Sequence, residues 1–220
     1  IKAAFPLDVH SDKATYETQF GYLERPAHEN SPYDSAKFEV CAHKFCDLAE
    51  FDYGVALLND CKYGHDVHDG VMRLSLLKCA TWPSTTADRC QHTFTYALAP
   101  HIGDYRTAGI VQMAYALNNP MSAMQLSAQA GTLQDRYSFV EVSAPNVILE
   151  TVKEAEDSLI VSVANDTPQA AAYQVLYRYL DFAGNVLDEK RLTAAVEKTA
   201  DMDVLEIPTP FGADAADIDR

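Results

Sequence analysis

Basic residues are scarce in this 220-residue chain: 17 Lys and Arg stand against 32 Asp and Glu, a formal charge of −15. That shortage argues against nucleic acid as a partner, because affinity for a phosphate backbone comes mostly from Lys and Arg. It disfavours an anionic membrane surface for the same reason. No apolar run approaches the roughly 20 residues that span a bilayer, and Ile1–Asp8 is too short for a basic-then-apolar leader. Glycine (9) and proline (10) are few, while apolar residues make up 48%. That is too much apolar content for a disordered chain, and enough for one large domain or two small ones. The first residue is Ile rather than Met, which leads us to expect a piece of a longer protein.

Cysteine is sparse and badly spaced for cross-linking. Cys41, Cys46, Cys61, Cys79 and Cys90 form an odd set without a C-x-x-C pair, ill suited to a disulfide framework or a four-Cys zinc site. His43 and Asp47 lie among Cys41 and Cys46, but Phe38–Phe45 alternates like a strand, where free Cys serves as a small buried hydrophobe. A reducing compartment, the cytoplasm, follows as the expectation. Other chemistries are missing as well. There is no G-x-S-x-G elbow and no glycine-rich phosphate loop.

What is present is period-two alternation. It marks strands at Gln19–Leu23, Lys37–Phe45, Tyr53–Leu58, Val71–Lys78, His92–Leu98, Ser138–Val142 and Val147–Val152. Ile110, Met113, Ala114 and Leu117 instead share one helical face, stopped by Asn119-Pro120. Met121–Gln134 reads as loop. After the charged run Lys153–Ser158, strands recur at Leu159–Ala164, Tyr173–Phe182 and Val186–Thr193, with Ala183-Gly184-Asn185 as a hairpin turn. The fold class expected is mainly β: an antiparallel sandwich over 1–157 with one short helix, then a small β-module over 158–210. An acidic tail closes the chain at 211–220.

The densest polar cluster is Asn59–Gly70. His65 and His68, with Asp60, Asp66 and Asp69, have the chemistry to ligate a divalent metal if the segment is a loop. The competing reading is a turn, since Asp69-Gly70 is a favoured hairpin signal and polar residues collect in turns without any metal.

Several runs together resemble one family. They are Gln19–His28, Ala36–Lys44, Tyr53–Gly64, Val71–Lys78, Phe94–Leu98 with Pro100-His101, and Leu149–Lys153 with Ala155–Asp157. In this order they are similar to the C-terminal β-rich region of family 38 glycoside hydrolases, the α-mannosidases of the cytosolic and bacterial branch. The resemblance runs from residue 19 to about 157. It implies that the sandwich is part of a larger supersandwich in a retaining exo-enzyme that removes terminal α-linked mannose. Zinc and an aspartate nucleophile would belong to an N-terminal catalytic domain. No residue here matches those motifs, so no catalytic residue or metal ligand is assigned, and the isolated chain is expected to be inactive.

Its expected partners are that catalytic domain and a mannose-containing oligosaccharide; a homo-oligomer is allowed. The expected contribution to the sugar pocket is a rim made of Asn59, Asp60, Tyr63 and Lys78. Asn and Asp would bond sugar hydroxyls, and Tyr63 would bond or stack on a pyranose. The same Asn and Asp are equally suited to capping a turn. His28–Asn30 with Tyr33-Asp34 forms a second polar loop of the same ambiguity. Beyond Asp157, Val163–Thr167 and Tyr179–Leu187 look more like the immunoglobulin-like module that closes some β-mannosidases. The alternative to an enzyme's C-terminal region is a free-standing carbohydrate-binding module using Tyr and Trp82 as platforms.

Overall fold

The computed structural model describes residues 1–19, 21–127, 131, 136, 138, 140–154, 158–165, 169–180, 185–196 and 201–208. The chain divides into two units, Ile1–Met124 and Gln125–Arg220. In the first unit the strands are β1 (Lys2–Pro6), β2 (Lys13–Thr18), β3 (Gly21–Pro26), β4 (Val40–Cys41), β5 (Phe45–Ala49), β6 (Gly54–Asn59), β7 (Gly64–His68), β8 (Val71–Ser75) and β9 (Tyr96–His101). Two helices join them, α1 (Pro32–Ser35) and α2 (Ile110–Asn118).

These strands form two antiparallel sheets, ordered β1-β8-β7-β4 and β3-β2-β5-β6-β9. The core is made where they face each other: Val67, Met72 and Leu74 from one sheet meet Tyr16, Cys46, Leu48, Val55 and Leu57 from the other. Burying each such aliphatic side chain is worth roughly 1.5–3 kcal/mol, which fixes the register because a one-residue slip would turn the whole set outward. Alternation is clean in β8, where Met72 and Leu74 are buried between half-exposed neighbours. It vanishes in β6, buried along its whole length. The reason is α2, which contacts β6 and buries Ile110, Val111 and Ala114. That helix stands where expected, but its buried face is rotated: Val111 is inside, and Met113 is exposed.

The expected strand over Lys37–Phe45 is two strands in different sheets. Val40–Cys41 pairs with β7, and Phe45–Ala49 pairs with β2 and β6. Ala42, His43 and Lys44 make the corner between them, their N–H groups donating to Tyr63 O (3.0 Å), Glu17 O (2.9 Å) and Glu17 Oε2 (2.7 Å). The buried-hydrophobe reading therefore holds for Cys46 and fails for Cys41, which is exposed on a two-residue strand. The Asn59–Gly70 loop contains β7, and Asp69-Gly70 is the whole turn to β8, both residues at positive φ (52° and 69°). That left-handed pair is what a two-residue hairpin requires, and it explains the glycine. β9 begins later than expected, at Tyr96, and runs through Pro100, tolerable on a strand at the end of a sheet.

In the second unit, β10 (Val147–Glu154), β11 (Ser158–Asn165) and β14 (Asp201–Pro208) form one antiparallel sheet, ordered β10-β11-β14. β12 (Ala171–Leu180) and β13 (Val186–Val196) form a second. Val147, Val163 and Val196 are buried together with Leu149 and Tyr173 packed on them, so both sheets contribute to one core. β10 and β11 are hairpin partners, so the boundary expected at 157 falls inside a hairpin, and the division lies at Met124/Gln125. Of the strand expected at Ser138–Val142, the described residues are outside any strand. Residues 155–157, the turn at 183–184 and the acidic tail 211–220 lie outside the described residues. No described helix is long and apolar enough to cross a membrane.

Candidate functional site

One end of the first unit gathers the expected rim. β6 finishes there at Asn59 and β7 starts there at Gly64, so the connection Asp60–Tyr63 carries the chain from one sheet to the other. β8 finishes and β9 begins at the same end, opposite His65 and Asn59 respectively. The corner Ala42–Lys44 and the C-terminal turn of α2 complete it, the latter through Asn118 Nδ2 donating to Asn59 O (3.0 Å).

Asn59 is the hub, and it is 1% exposed. Its Oδ1 accepts from Lys62 N (2.6 Å) and Cys61 N (3.2 Å); its Nδ2 donates to His43 O (2.7 Å) and lies 3.5 Å from His65 Nε2. No group is left over for a sugar hydroxyl, so Asn59 acts on a pocket only through the loop it holds. Asp60 Oδ2 accepts from Thr95 N (2.9 Å). Burial works against its charge, yet bonds from the Cys61 thiol and Thr95 hold the carboxyl below its usual range.

Tyr63 is different: it is 58% exposed, its ring edge-on to His43 at 5.3 Å. Its carbonyl is pinned, accepting from Ala42 N (3.0 Å) and His65 Nδ1 (3.2 Å). Lys78 is exposed three residues after β8. Its charge reaches Glu39, which also accepts from Ser75 Oγ (3.0 Å) and pairs with Lys2 Nζ (3.2 Å). Partial burial opposes ionisation of Glu39, but those neighbours hold its carboxyl below the usual range.

The metal reading fails on strand geometry. His65 and Val67 point into the core, so His68, three residues on from His65, faces the other side of the sheet with Asp66. Asp66 is committed to Lys2 Nζ (2.6 Å) and Arg73 (2.7 Å), and His68 Nε2 lies 3.9 Å from Glu29 Oε1. Among the described residues no group of three or more His, Cys, Asp or Glu is placed to hold a metal ion. Glu29 beside His68 also puts the second polar loop away from the Asn59 end. Residues that were not anticipated are His43, Asn118 and the buried Glu17, which takes Lys44 Nζ at 3.2 Å while that ammonium sits over the Tyr115 ring at 4.4 Å. No sequence signal marks them, because their partners lie far along the chain.

Residues 1–86 match a family described as glycosyl hydrolases family 38 C-terminal domain. The chain is 43% identical to human α-mannosidase 2C1 over 212 residues, 96% of this chain and 19% of that protein. The chain belongs to glycosyl hydrolase family 38. An α-mannosidase of Saccharomyces cerevisiae is 36% identical over 209 residues, 94% of this chain and again 19% of that protein. This family 38 chain thus spans about a fifth of the length of these relatives. Because the similarity covers nearly all of it, the α-mannosidase likeness does not stop at Asp157, as the β-mannosidase expectation required. An α-mannosidase from Enterococcus faecalis V583 shares the fold, with a TM-score of 0.70 at 16% identity, over 91% of this chain and 25% of that one.

Proposed function

We propose that this family 38 domain is the C-terminal β-region of a retaining, zinc-dependent exo-α-mannosidase of the cytoplasm, which hydrolyses terminal α-linked mannose. The observation that carries the reading is α-mannosidase similarity along almost the whole chain, 43% over 96% of it. Among the described residues no group of three or more His, Cys, Asp or Glu is placed to hold a metal ion, and zinc and the nucleophile are assigned to a catalytic domain outside these residues. The zinc would supply Lewis-acid stabilisation of the sugar there. The domain supports that catalytic part and offers the Asn59 end to its pocket. Tyr63 and Lys78 are the direct contacts, with Tyr63 stacking on a pyranose and Lys78 bonding a hydroxyl. Asn59 and Asp60 position the loop that carries them.

The test is hydrolysis of an aryl α-mannoside by the full-length gene product. Tyr63→Ala is expected to raise KM about tenfold, the equivalent of ~1.4 kcal/mol, while Tyr63→Phe keeps the ring and the affinity. An unchanged kcat/KM in Tyr63→Ala removes Tyr63 from the rim, and absence of any mannoside hydrolysis removes the enzyme reading. A second reading has one observation behind it: Trp82 is 86% exposed in the β8–β9 connection, which starts and ends at the Tyr63 end. Mannose binding by the 220-residue chain alone, lost in Trp82→Ala, would make it a free-standing binding module.

A further inference from the structure

We propose that the outer edge of β9 is a slot for one more β-strand, supplied by the same polypeptide from outside these 220 residues. The inference rests on the reading above that the domain is part of a longer chain. Residues paired across neighbouring strands share a face, so Tyr96 and Leu98, opposite Asn59 and Leu57, point between the two sheets. Leu57 and Asn59 are 0% and 1% exposed there; Leu98 and Tyr96, one strand further out, are 40% and 39% exposed. The inner layer is closed at β6 and open at β9. Across the opening stands β1, the end strand of its own sheet, its Phe5 ring 5.9 Å from that of Tyr96.

The main chain points the same way. Asp60 N donates to Thr95 O (3.2 Å), so residues 95, 97, 99 and 101 turn their peptide groups toward β6. Those of Tyr96, Leu98 and Pro100 turn outward, and among the described residues nothing pairs with that side. Pro100 withholds one donor, which leaves the N–H and C=O groups of Tyr96 and Leu98 as the ladder positions. An extended segment there would lay alternate apolar side chains over Leu98 and Tyr96 and turn the others to water.

The size of the slot selects the occupant. A single strand of about six residues buries far less than the ~1,600 Å² typical of a stable interface between separate proteins. A segment of the same polypeptide needs no such area, because tethering presents it at an effective concentration near the millimolar range. The relatives are several times longer than this chain, so a family 38 polypeptide has ample length to supply it.

Hydrogen exchange on the full-length gene product tests this. The amides of Tyr96 and Leu98 should exchange at least 100-fold slower than in unstructured peptide, although β9 ends its sheet here. With p-benzoyl-phenylalanine in place of Leu98, light should crosslink that position to a peptide of the same molecule outside the 220 residues. Fast exchange at Tyr96 and Leu98 overturns the proposal, as does a crosslink to a second copy or to no peptide at all. Mannoside hydrolysis on the same preparation separates the two ideas. Hydrolysis with an unprotected edge removes only the slot, and a protected edge without hydrolysis removes only the mannosidase reading.

Discussion

Acid should loosen the β6–β7 connection through His65. The ring is fully buried on β7, and its partners dictate one neutral tautomer: Nδ1–H donates to Tyr63 O at 3.2 Å, leaving Nε2 to accept from the Asn59 amide at 3.5 Å. Asn59 cannot reverse that amide to receive a second ring proton, because its Oδ1 already accepts from Cys61 N and Lys62 N. Burial is the main reason the charged form is resisted, and the pKa falls to about 4. In the unfolded chain the ring returns to ~6.5, so the unfolded state takes the proton first as pH drops. The stabilising contribution is thus whole above about 6.5 and lost as pH falls toward 4. At ~1.4 kcal/mol per unit, with incomplete titration at both ends, going from pH 7 to pH 5 removes about 2 kcal/mol. Urea unfolding at the two pH values, in wild type and His65→Gln, measures it. The variant should be weaker at pH 7, yet its drop to pH 5 should be smaller by about 2 kcal/mol, or ~1 M urea in midpoint for an m-value of ~2 kcal/mol/M. Parallel losses in the two proteins would refute the reasoning and assign the acid sensitivity to other groups.

Three further predictions concern packing and hydrogen bonding around the same sheet. In Gly54→Ala the new Cβ would lie 2.5 Å from His101 Cε1 and 2.7 Å from Ala49 Cβ, and His101 is buried and held by Asp47 at 2.8 Å. The substitution should lower the urea midpoint by an amount corresponding to about 1–3 kcal/mol. Asn59→Ala leaves His43 O and Lys62 N without side-chain partners and should cost about 2–4 kcal/mol in thermal unfolding. Asp60→Ala, which loses the bond from Thr95 N at a more open position, should cost about 1 kcal/mol in the same assay.

The fold was legible where apolar residues alone carry the pattern. β6, β8 and the hairpin turn at Asp69-Gly70 follow from burial and backbone chemistry that any window of the chain displays. β7 was hidden because polar residues stand on both of its faces and leave Val67 as its one apolar core residue: His65 is buried against Asn59, and Asp66 is buried between Lys2 and Arg73. Such strands are stabilised by partners many residues away, so no local period announces them. β1 was obscured differently, by two alanines and a terminal proline on an edge. The charged run Lys153–Ser158 reads as the border between two modules, yet β10 and β11, which share its end residues, pair as a hairpin. At the site, Asn59 and Asp60 behave as turn-formers, one of the two roles their chemistry allowed. The supporting Glu17, His43 and Asn118 depend on sheet topology and were beyond reach.

The three-residue corner Ala42–Lys44 carries a consequence for the sugar rim proposed above. Every N–H in it is satisfied, and one of them holds the carbonyl of Tyr63. A ring that is mostly in solvent is therefore attached to backbone that has almost no freedom left to lose. If Tyr63 is the sugar platform proposed above, the ordering of its loop has already happened during folding, so stacking energy would appear as affinity without an entropic deduction for the main chain. Loosening the corner, by changes that never touch the sugar, would then weaken binding through entropy while the contacts in the bound state stay the same.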